Sequence, residues 1–265
     1  MDSNAITGKF TQLRGAPVAL WPKFIGGWLN RQNTKEIPCL LPGCRYIVQV
    51  PVRDFYESYI FFCENPEGRG ELEYFLDRSK PGDVLYDIGG FRGAYSAGVK
   101  AKLNDSVSVH IFEPLPHNLE SLRALMALNQ FTRFQVNALA VGDGHPVVGS
   151  VNEGDVMLRL GDAAASGANQ FKSISVDEYI AAGNPPPSLM KIDVDGFEIQ
   201  VLTGAKNCLR QNHPRLWLEV HPTFLKNQGK SVDDVLGLLK EAGYKLVFFD
   251  DYSNENQTSY HLWCE

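Results

Sequence analysis

Residues 84–96, which read VLYDIGGFRGAYS, set the architecture that the rest of the chain must follow. Their first half is a short apolar run, typical of a strand buried on both faces of a parallel sheet. The run ends in Asp87 and a turn with three glycines, and a helical pattern begins at about Arg92. A strand, a glycine-rich turn and a helix predict an α/β fold with a ligand site at the turn, where backbone N–H groups would meet the ligand.

The charge of Asp87 narrows the kind of ligand. A dinucleotide pyrophosphate is anionic, so a carboxylate two residues before the first glycine disfavours it. The glycines run G-G-x-x-G, which also departs from the dinucleotide pattern G-x-G-x-x-G. S-adenosylmethionine (SAM) is favoured instead, because its ammonium group suits an acid at this position. An ordinary strand-to-helix turn without a ligand remains the alternative for this stretch alone.

A second acid follows the next predicted strand. Residues 107–114 read VSVHIFEP, a buried strand that ends in Glu113. An acid at this place can accept hydrogen bonds from the two hydroxyl groups of a ribose. Both NAD-binding and SAM-binding folds use an acid in this way, so Glu113 indicates a nucleoside ligand without distinguishing between the two. Asp87 favours SAM. The structural alternative for Glu113 is a solvated acid at a strand end.

Four blocks of sequence together resemble the FkbM family of SAM-dependent methyltransferases. They occur in the family's order between about residues 82 and 244, and they read DIGGFRGAYS (87–96), FEPLPHN (112–118), MKIDVDGFE (190–198) and WLEVH (217–221). The family usually has Ala-Asn where this chain has Gly90 and Phe91, and Glu where it has Asp195. The resemblance implies a doubly wound, Rossmann-like class I sheet, mostly parallel with an antiparallel last strand. It also implies methyl transfer from SAM to a hydroxyl of a sugar, a glycan or a related small molecule.

The residues predicted to bind the cofactor lie in the first two blocks and on the third strand. For Asn137 and Ala138, which lie near the place where SAM folds put adenine contacts, an ordinary strand role is equally open. The full predicted set is Asp87, Gly89, Gly90, Phe91, Gly93, Glu113, Pro114, Asn137 and Ala138.

The predicted catalytic residues are Lys191 and Asp193 on the fourth strand, and Glu219 and His221 on the fifth. Residues two apart share a face of a strand, and neighbouring strands lie about 4.8 Å apart, so the two pairs are expected to converge. Asp193, Glu219 and His221 could hold one divalent ion, in a pattern like that of metal-dependent catechol-type methyltransferases. Alternatively, Asp193 or His221 is a general base. In a structural alternative, Lys191 pairs with an acid and His221 caps a turn.

Composition bounds the class of protein. With 265 residues and 44% hydrophobic content, we expect one α/β domain and an N-terminal extension. The resemblance implies that the methyltransferase domain covers residues 81–265, and we expect residues 1–80 to form a cap that contributes to the acceptor pocket. A net charge of −6 disfavours a nucleic-acid partner. Five scattered cysteines indicate a reducing, cytoplasmic location. Neither a signal peptide nor a transmembrane run is visible.

Further elements follow from local patterns. Residues 133–141 are predicted to form one strand, residues 197–211 one helix, and Asp54 is a candidate cap for a helix that runs to Phe62. Residues 146–160 predict a hairpin, followed over 161–170 by a polar loop that could close over the acceptor. Two other functions stay open: an NAD-linked sugar oxidoreductase, which Asp87 and the glycine pattern disfavour, and a SAM-fold protein that binds without catalysis.

Overall fold

The computed structural model of the chain describes residues 35–44, 46–150, 159–160, 169–250 and 258–265. The strands are β1 (Glu36–Cys39), β2 (Val48–Pro51), β3 (Val84–Ile88), β4 (Ser108–Phe112), β5 (Phe134–Asn137), β6 (Ala140–Gly142), β7 (Val147–Ser150), β8 (Arg159–Leu160), β9 (Asn169–Phe171), β10 (Ser173–Ser175), β11 (Leu189–Ile192), β12 (Arg215–Val220), β13 (Leu246–Phe248) and β14 (Tyr260–Cys264). The α-helices are α1 (Val52–Asp54), α2 (Ile60–Glu64), α3 (Pro66–Arg78), α4 (Ala94–Lys102), α5 (Pro116–Leu128), α6 (Val176–Ala181), α7 (Glu198–Gly204), α8 (Lys206–Gln211), α9 (Pro222–Asn227) and α10 (Val232–Glu241).

A seven-stranded sheet carries the fold, with the strand order β13-β14-β12-β11-β3-β4-β5. Strands β3, β4, β5, β11 and β12 run parallel, whereas β14 is antiparallel to both of its neighbours. The predicted Rossmann-like sheet with an antiparallel last strand is therefore confirmed. The chain order reverses between β3 and β11, and in open α/β sheets the crevice at such a reversal is where ligands bind.

Two hydrophobic clusters cover the two faces of this sheet. Leu85 belongs to one cluster, whereas Tyr86 and Ile88 belong to the other. Neighbouring residues of a strand point to opposite faces, so β3 contributes to both. A strand covered on both faces reads as a continuous apolar run, which explains the pattern that first identified it.

The described part of the N-terminal region shares its core with the sheet. Val48, Tyr59 and Phe75 are fully buried in the same cluster as Leu85 and Trp217. The predicted helix over residues 54–62 is interrupted by a π-helical turn, Phe55–Tyr59, between α1 and α2.

Asp54 has a different role from the one that the sequence predicted. Its side chain makes no capping hydrogen bond. Instead, the Asp54 carboxylate accepts a hydrogen bond from Arg92 Nη1 at 2.7 Å and one from the Ser121 hydroxyl at 2.9 Å. Arg92 precedes α4 and Ser121 lies on α5, so this buried group ties the N-terminal helices to the sheet domain.

Two predicted elements are split in the structure. The expected strand over residues 133–141 ends at Asn137, and β6 then leaves the main sheet to pair with β10. The expected helix over residues 197–211 breaks at Ala205, between α7 and α8. Gly204 lies so close to the β6 backbone there that an added Cβ would be 2.0 Å from the Gly142 carbonyl oxygen. Helix α9 was not predicted.

The region between β6 and β10 contains a small antiparallel sheet, in which β7 pairs with both β8 and β9. The predicted hairpin turn and polar loop fall largely on residues 151–158 and 161–168, which lie outside the described residues. Among the described residues, every helix is too short or too polar to cross a membrane.

Candidate functional site

A cavity of about 450 Å³ opens at the carboxyl ends of β3, β4, β11 and β12. We call it the first cavity. Apolar side chains such as Phe112, Val141 and Phe197 form much of its wall. Its ionisable lining consists of four acids and one histidine: Glu113, Asp193, Asp195, Glu219 and His221. Among the described residues, neither a lysine nor an arginine lines this cavity, so it is poorly suited to the phosphates of a dinucleotide.

The backbone N–H groups of the glycine-rich turn are used inside the protein, contrary to the expectation that they face a ligand. Those of Gly89 and Gly90 both donate to the Phe112 carbonyl, at 3.1 and 3.0 Å. The N–H of Gly93 donates to the Gly90 carbonyl at 2.7 Å. Gly89 adopts φ +79°, and a Cβ there would lie 1.8 Å from the Asp193 carbonyl oxygen. The glycines thus let β3, β4 and β11 end close together, which shapes the cavity floor.

Glu113 is held rigidly at the wall of the first cavity. Its Oε2 accepts the Phe91 N–H at 3.0 Å, and its Oε1 accepts the Leu115 N–H at 2.9 Å. Burial raises the pKa of Glu113 to about 7, although these hydrogen bonds act in the opposite direction. The Asn118 side chain donates a third hydrogen bond to this carboxylate, which leaves about one of its four acceptor sites for a ligand. A fixed, buried acceptor of this kind suits a ribose hydroxyl.

Asp87 and Lys191 lie beneath the first cavity and do not line it. Asp87 accepts a hydrogen bond from the Ser96 hydroxyl, and its other oxygen lies 3.8 Å from Lys191 Nζ. That oxygen, Oδ1, makes no hydrogen bond with any residue that the structure describes. Lys191 donates to the Gly89 carbonyl at 2.7 Å and to Asp193 Oδ2 at 3.0 Å. Lys191 therefore joins the glycine turn to the end of β11.

The other residues predicted to bind the cofactor fall into two groups. Gly89, Phe91 and Pro114 line the first cavity together with Glu113. Four residues do not line it: Gly90, Gly93, Asn137 and Ala138. Gly93 is the N-cap of α4, where a Cβ would lie 2.8 Å from Leu122. The Asn137 amide donates to the Ile111 carbonyl at 3.1 Å.

The expected convergence of the fourth and fifth strands is observed. β11 and β12 are adjacent and parallel, and ligand atoms of Asp193, Glu219 and His221 lie within 4.8 Å of one another. His221 Nδ1 is 2.8 Å from Glu198 Oε1, and its Nε2 lies 3.4 Å from Glu219 and 3.6 Å from Asp195. Burial alone would lower the pKa of His221, but the hydrogen bonds to Glu198 and Glu219 raise it to about 11.

A second histidine, His261, completes this cluster and was not predicted. It lies opposite Glu219 in the β12–β14 register, and its Nε2 is 3.4 Å from Glu219 Oε2. Its Nδ1 is 2.7 Å from Asp250 Oδ2. Burial would raise the pKa of Glu219, but hydrogen bonds from His221 and His261 hold it well below the usual range. No motif marks His261, because the register of an antiparallel last strand cannot be deduced from its sequence.

A cavity of about 470 Å³, the second cavity, adjoins the first. Phe91, Asp193 and Glu219 line both. The N-terminal helices supply Glu67 and Glu71, among others, and the far wall comes from the β13–β14 region. Burial and the nearby Glu219 and Glu67 raise the pKa of Glu71 to about 7, although His261 acts against this. No motif pointed to Glu71, since its helix lies outside the four blocks.

Two residues beside the cavities have a left-handed backbone conformation. Phe91 adopts φ +45° and Asp195 adopts φ +47°. This conformation is costly for Phe91, whereas an aspartate such as Asp195 tolerates it better, and backbone strain concentrates at functional sites. Both positions are ones where the chain departs from the usual pattern of the family that it resembles.

The fold and this site define a class of protein. A Rossmann-like sheet binds its ligand in the crevice at the topological reversal, and the acid-lined first cavity at that place suits a positively charged ligand such as SAM. The family model of the methyltransferase FkbM domain matches residues 87–246. The chain therefore belongs to the FkbM methyltransferase family, and this membership implies SAM as the methyl donor. It places the chain among methyltransferases and not among NAD-linked oxidoreductases.

Similar proteins include one curated relative and several solved structures. The hexuronic acid methyltransferase AglP of Haloferax volcanii is 29% identical over 186 residues, which are 66% of this chain and 70% of the relative. The structure of methyltransferase FkbM from Methylobacillus flagellatus is 17% identical with a TM-score of 0.49, and the match covers 81% of this chain and 54% of that one. This chain thus spans about half the length of that solved protein. SMU.1697c of Streptococcus mutans, a putative methyltransferase solved in complex with S-adenosylhomocysteine (SAH), is 12% identical with a TM-score of 0.47. That match covers 76% of this chain and 98% of the other.

Proposed function

We propose that this chain is a SAM-dependent O-methyltransferase that methylates a hydroxyl group of a sugar or a related small molecule. The observation that carries this proposal is that Phe91, Asp193 and Glu219 line both cavities. Methyl transfer is an in-line displacement, so the donor and the acceptor must approach one carbon from opposite sides. Two adjoining cavities with a shared border suit that geometry. A sugar acceptor is also supported by the relative named as a hexuronic acid methyltransferase.

The first cavity fits SAM. Its volume lies in the range of small-molecule sites, and its acids suit a positively charged ligand. Glu113 would accept a hydrogen bond from the ribose. Asp87 would stabilise the amino-acid end of SAM electrostatically from beneath the cavity floor, where its Oδ1 makes no hydrogen bond with the described residues. When bound, SAM supplies an electrophilic methyl group on a sulfonium ion. The apolar wall, including Phe112 and Phe197, would exclude water from the reacting atoms.

The acceptor hydroxyl must lose a proton, and we assign that role to Asp193. Its carboxylate borders both cavities and is oriented by Lys191 at 3.0 Å. Both nitrogens of His221 face carboxylates, so His221 keeps its proton and orients Glu219. In this proposal Lys191, Glu219 and His221 are positioning residues, and residues 1–80 form a cap beside the catalytic domain at 81–265.

A divalent ion at Asp193, Glu219 and His221 is the second candidate for activating the hydroxyl. The ligand atoms are close enough, and a carboxylate behind the histidine, here Glu198 at 2.8 Å, is the usual arrangement for a metal-binding histidine. Loss of methyl transfer after EDTA treatment, restored by added Mg²⁺, would favour the ion. An unchanged rate would favour direct proton transfer to Asp193.

The test of the proposal is methyl transfer from labelled SAM to a panel of methyl glycosides, with Asp193→Asn as the decisive variant. Loss of a general base lowers rates by about 10²- to 10⁴-fold, and we expect kcat to fall in that range while affinity for SAH is kept. Asp233→Asn, on the exposed start of α10, is the matched control. A wild-type kcat in Asp193→Asn would refute its assignment. SAH binding without transfer to any glycoside by the wild-type chain would instead favour a SAM-fold protein that does not methylate sugars.

A further inference from the structure

The second cavity has an unusual balance of charge. Besides the Tyr95 phenol, its ionisable lining consists of five carboxylates and one imidazole: Glu67, Glu71, Asp193, Glu219, Asp250 and His261. Among the described residues, neither a lysine nor an arginine lines it. Proteins usually bind a ligand carboxylate through arginine or lysine, because bidentate or charge-assisted hydrogen bonds repay its desolvation.

The positive groups at this cavity are already paired within the protein. His261 lies 2.7 Å from Asp250 and 3.4 Å from Glu219. Lys191, behind the wall, donates to Asp193 at 3.0 Å and to the Gly89 carbonyl at 2.7 Å. An anionic ligand would therefore meet acids without an available cation among the described residues. Even the protein's own acids are crowded, since burial together with Glu219 and Glu67 raises the pKa of Glu71 to about 7.

We propose that the second cavity selects a hydroxyl acceptor without negative charge, either a neutral sugar or an amino sugar, and rejects uronic acids. This inference rests on the proposed function and specifies its substrate class. It separates this chain from the relative that is named as a hexuronic acid methyltransferase. The cavity distinguishes the two because a uronate differs from the neutral sugar by one carboxylate.

The same lining offers favourable contacts to an uncharged or cationic sugar. Carboxylates accept hydrogen bonds from hydroxyl and ammonium groups. Four aromatic rings, Phe61, Phe62, Phe91 and Tyr95, share the wall with them. Aromatic faces attract cations and pack against apolar C–H surfaces. A ring of hydroxyl groups with C–H faces between them, with or without an ammonium, matches this combination.

The experiment compares matched acceptors that differ only in charge. Labelled SAM is supplied with the methyl glycosides of glucose, glucosamine and glucuronic acid, and with the corresponding galactose series, and kcat/KM is measured for each. We expect the neutral or amino sugar of a series to exceed the uronide by at least about tenfold, since unpaired like charges within a few ångströms repel strongly in a cavity. Glu67→Gln and Glu71→Gln should each narrow that ratio. Glu73→Gln, an exposed position on the same helix outside the cavity, should leave it unchanged.

The outcomes separate a failure of this inference from a failure of the proposed function. A uronide turned over as well as or better than its neutral partner would overturn this inference and leave the O-methyltransferase proposal intact. The inference would also be overturned if the wild type prefers the neutral sugar but neither Glu67→Gln nor Glu71→Gln narrows the ratio of kcat/KM values. Residues outside this acidic lining would then determine the selectivity. Glu67 is exposed, so its variant tests the cavity even if Glu71→Gln fails to fold. Failure to methylate every sugar, with SAH still bound, would overturn the proposed function and this inference with it.

Discussion

At the scale of single residues, Phe91 shows how the site departs from its family. The usual Ala-Asn pair of the family is replaced here by Gly90 and Phe91. An added Cβ on Gly90 would lie 2.2 Å from Ile111 Cγ2, so an alanine would require Ile111 to move. Asparagine tolerates a positive φ, whereas phenylalanine at φ +45° is strained. A ring that borders both cavities is therefore kept in a costly backbone conformation.

This strain gives the first prediction, for the pair Phe91→Gly and Phe91→Ala. Both variants remove the ring, but only glycine relieves the positive φ, which costs other residues about 1–2 kcal/mol. We expect Phe91→Gly to have the higher free energy of unfolding by about 1 kcal/mol, measured by urea denaturation. At unstrained positions glycine is instead the less stable of the two by about 0.5–1 kcal/mol. Equal stability, or greater stability of Phe91→Ala, would contradict the argument.

The second prediction concerns Glu113 and the cofactor. A hydrogen bond to a charged group contributes about 1.5–3 kcal/mol, so Glu113→Ala should weaken SAH binding by about tenfold or more, measured by calorimetry. Glu113→Gln keeps an acceptor oxygen and should lose less affinity. Glu120→Ala, at an exposed position on α5, serves as the control. Wild-type affinity for SAH in Glu113→Ala would remove Glu113 from the cofactor site.

The position of several site residues could be predicted because they lie at strand ends. Glu113, Asp193 and Glu219 each follow from an apolar strand and the rule that parallel strands end at one edge. His261 and Glu71 could not be predicted, because their places depend on how β14 and α3 pack against that edge. The N–H groups of the glycine turn were predicted to face a ligand. Those of Gly89 and Gly90 instead donate to the Phe112 carbonyl, a long-range contact that local sequence does not specify.

At the scale of elements, α3 and β14 meet where two ionisable groups are buried. Glu71 of α3 lies 3.8 Å from His261 of β14, and both are almost fully buried. Burial is the main cause that raises the pKa of Glu71 from 4.5 to about 7; His261 acts against it, whereas the charges of Glu219, Glu67 and Asp250 act in the same direction. The folded state therefore holds a proton on Glu71 that the unfolded state releases between pH 4.5 and 7.

The third prediction is the resulting pH dependence of stability. Because the folded pKa of Glu71 is raised, its contribution to stability falls as the pH rises from about 4.5 to 7. A shift of this size corresponds to about 3 kcal/mol at most. Glu71→Gln should thus be more stable than the wild type at pH 8 by roughly 1–3 kcal/mol and equal to it near pH 4. Urea denaturation across this range, with Glu73→Gln as control, measures the difference, and parallel curves for wild type and Glu71→Gln would refute it.

Elements that follow one periodicity were predicted more accurately than those that change partners. Strands β3, β4, β11 and β12 were found because each is an apolar run with both faces covered. The strand over residues 133–141 was predicted as one piece, since its pattern does not show that Ala140 turns to pair with Ser173. The break between α7 and α8 comes from the close approach of Gly204 to Gly142, which is a tertiary contact.

At the scale of the whole molecule, the boundary proposed between the cap and the catalytic domain passes through a shared core. Leu72, Phe75 and Leu76 of α3 belong to the same cluster as Leu85 and Val99 of the sheet domain. The buried carboxylate of Asp54 lies 2.7 Å from Arg92, and the Tyr59 hydroxyl donates to the Arg92 carbonyl at 3.1 Å. Both contacts cross the boundary. The described part of the cap therefore acts as part of the folding unit.

The last prediction is that a chain consisting of residues 81–265 will not fold on its own. Its sheet would lose the fully buried side chains Val48, Val50, Tyr59, Leu72, Phe75 and Leu76. Burial of one such side chain contributes about 1.5–3 kcal/mol, so their loss is comparable to the whole stability of a typical domain. Buried Arg92 would also lose Asp54, and breaking such a pair costs about 3–5 kcal/mol. We expect no cooperative urea transition and no SAH binding. A chain beginning at Lys35 keeps all of these contacts and is the control; cooperative unfolding and SAH binding by residues 81–265 would instead establish an independent domain.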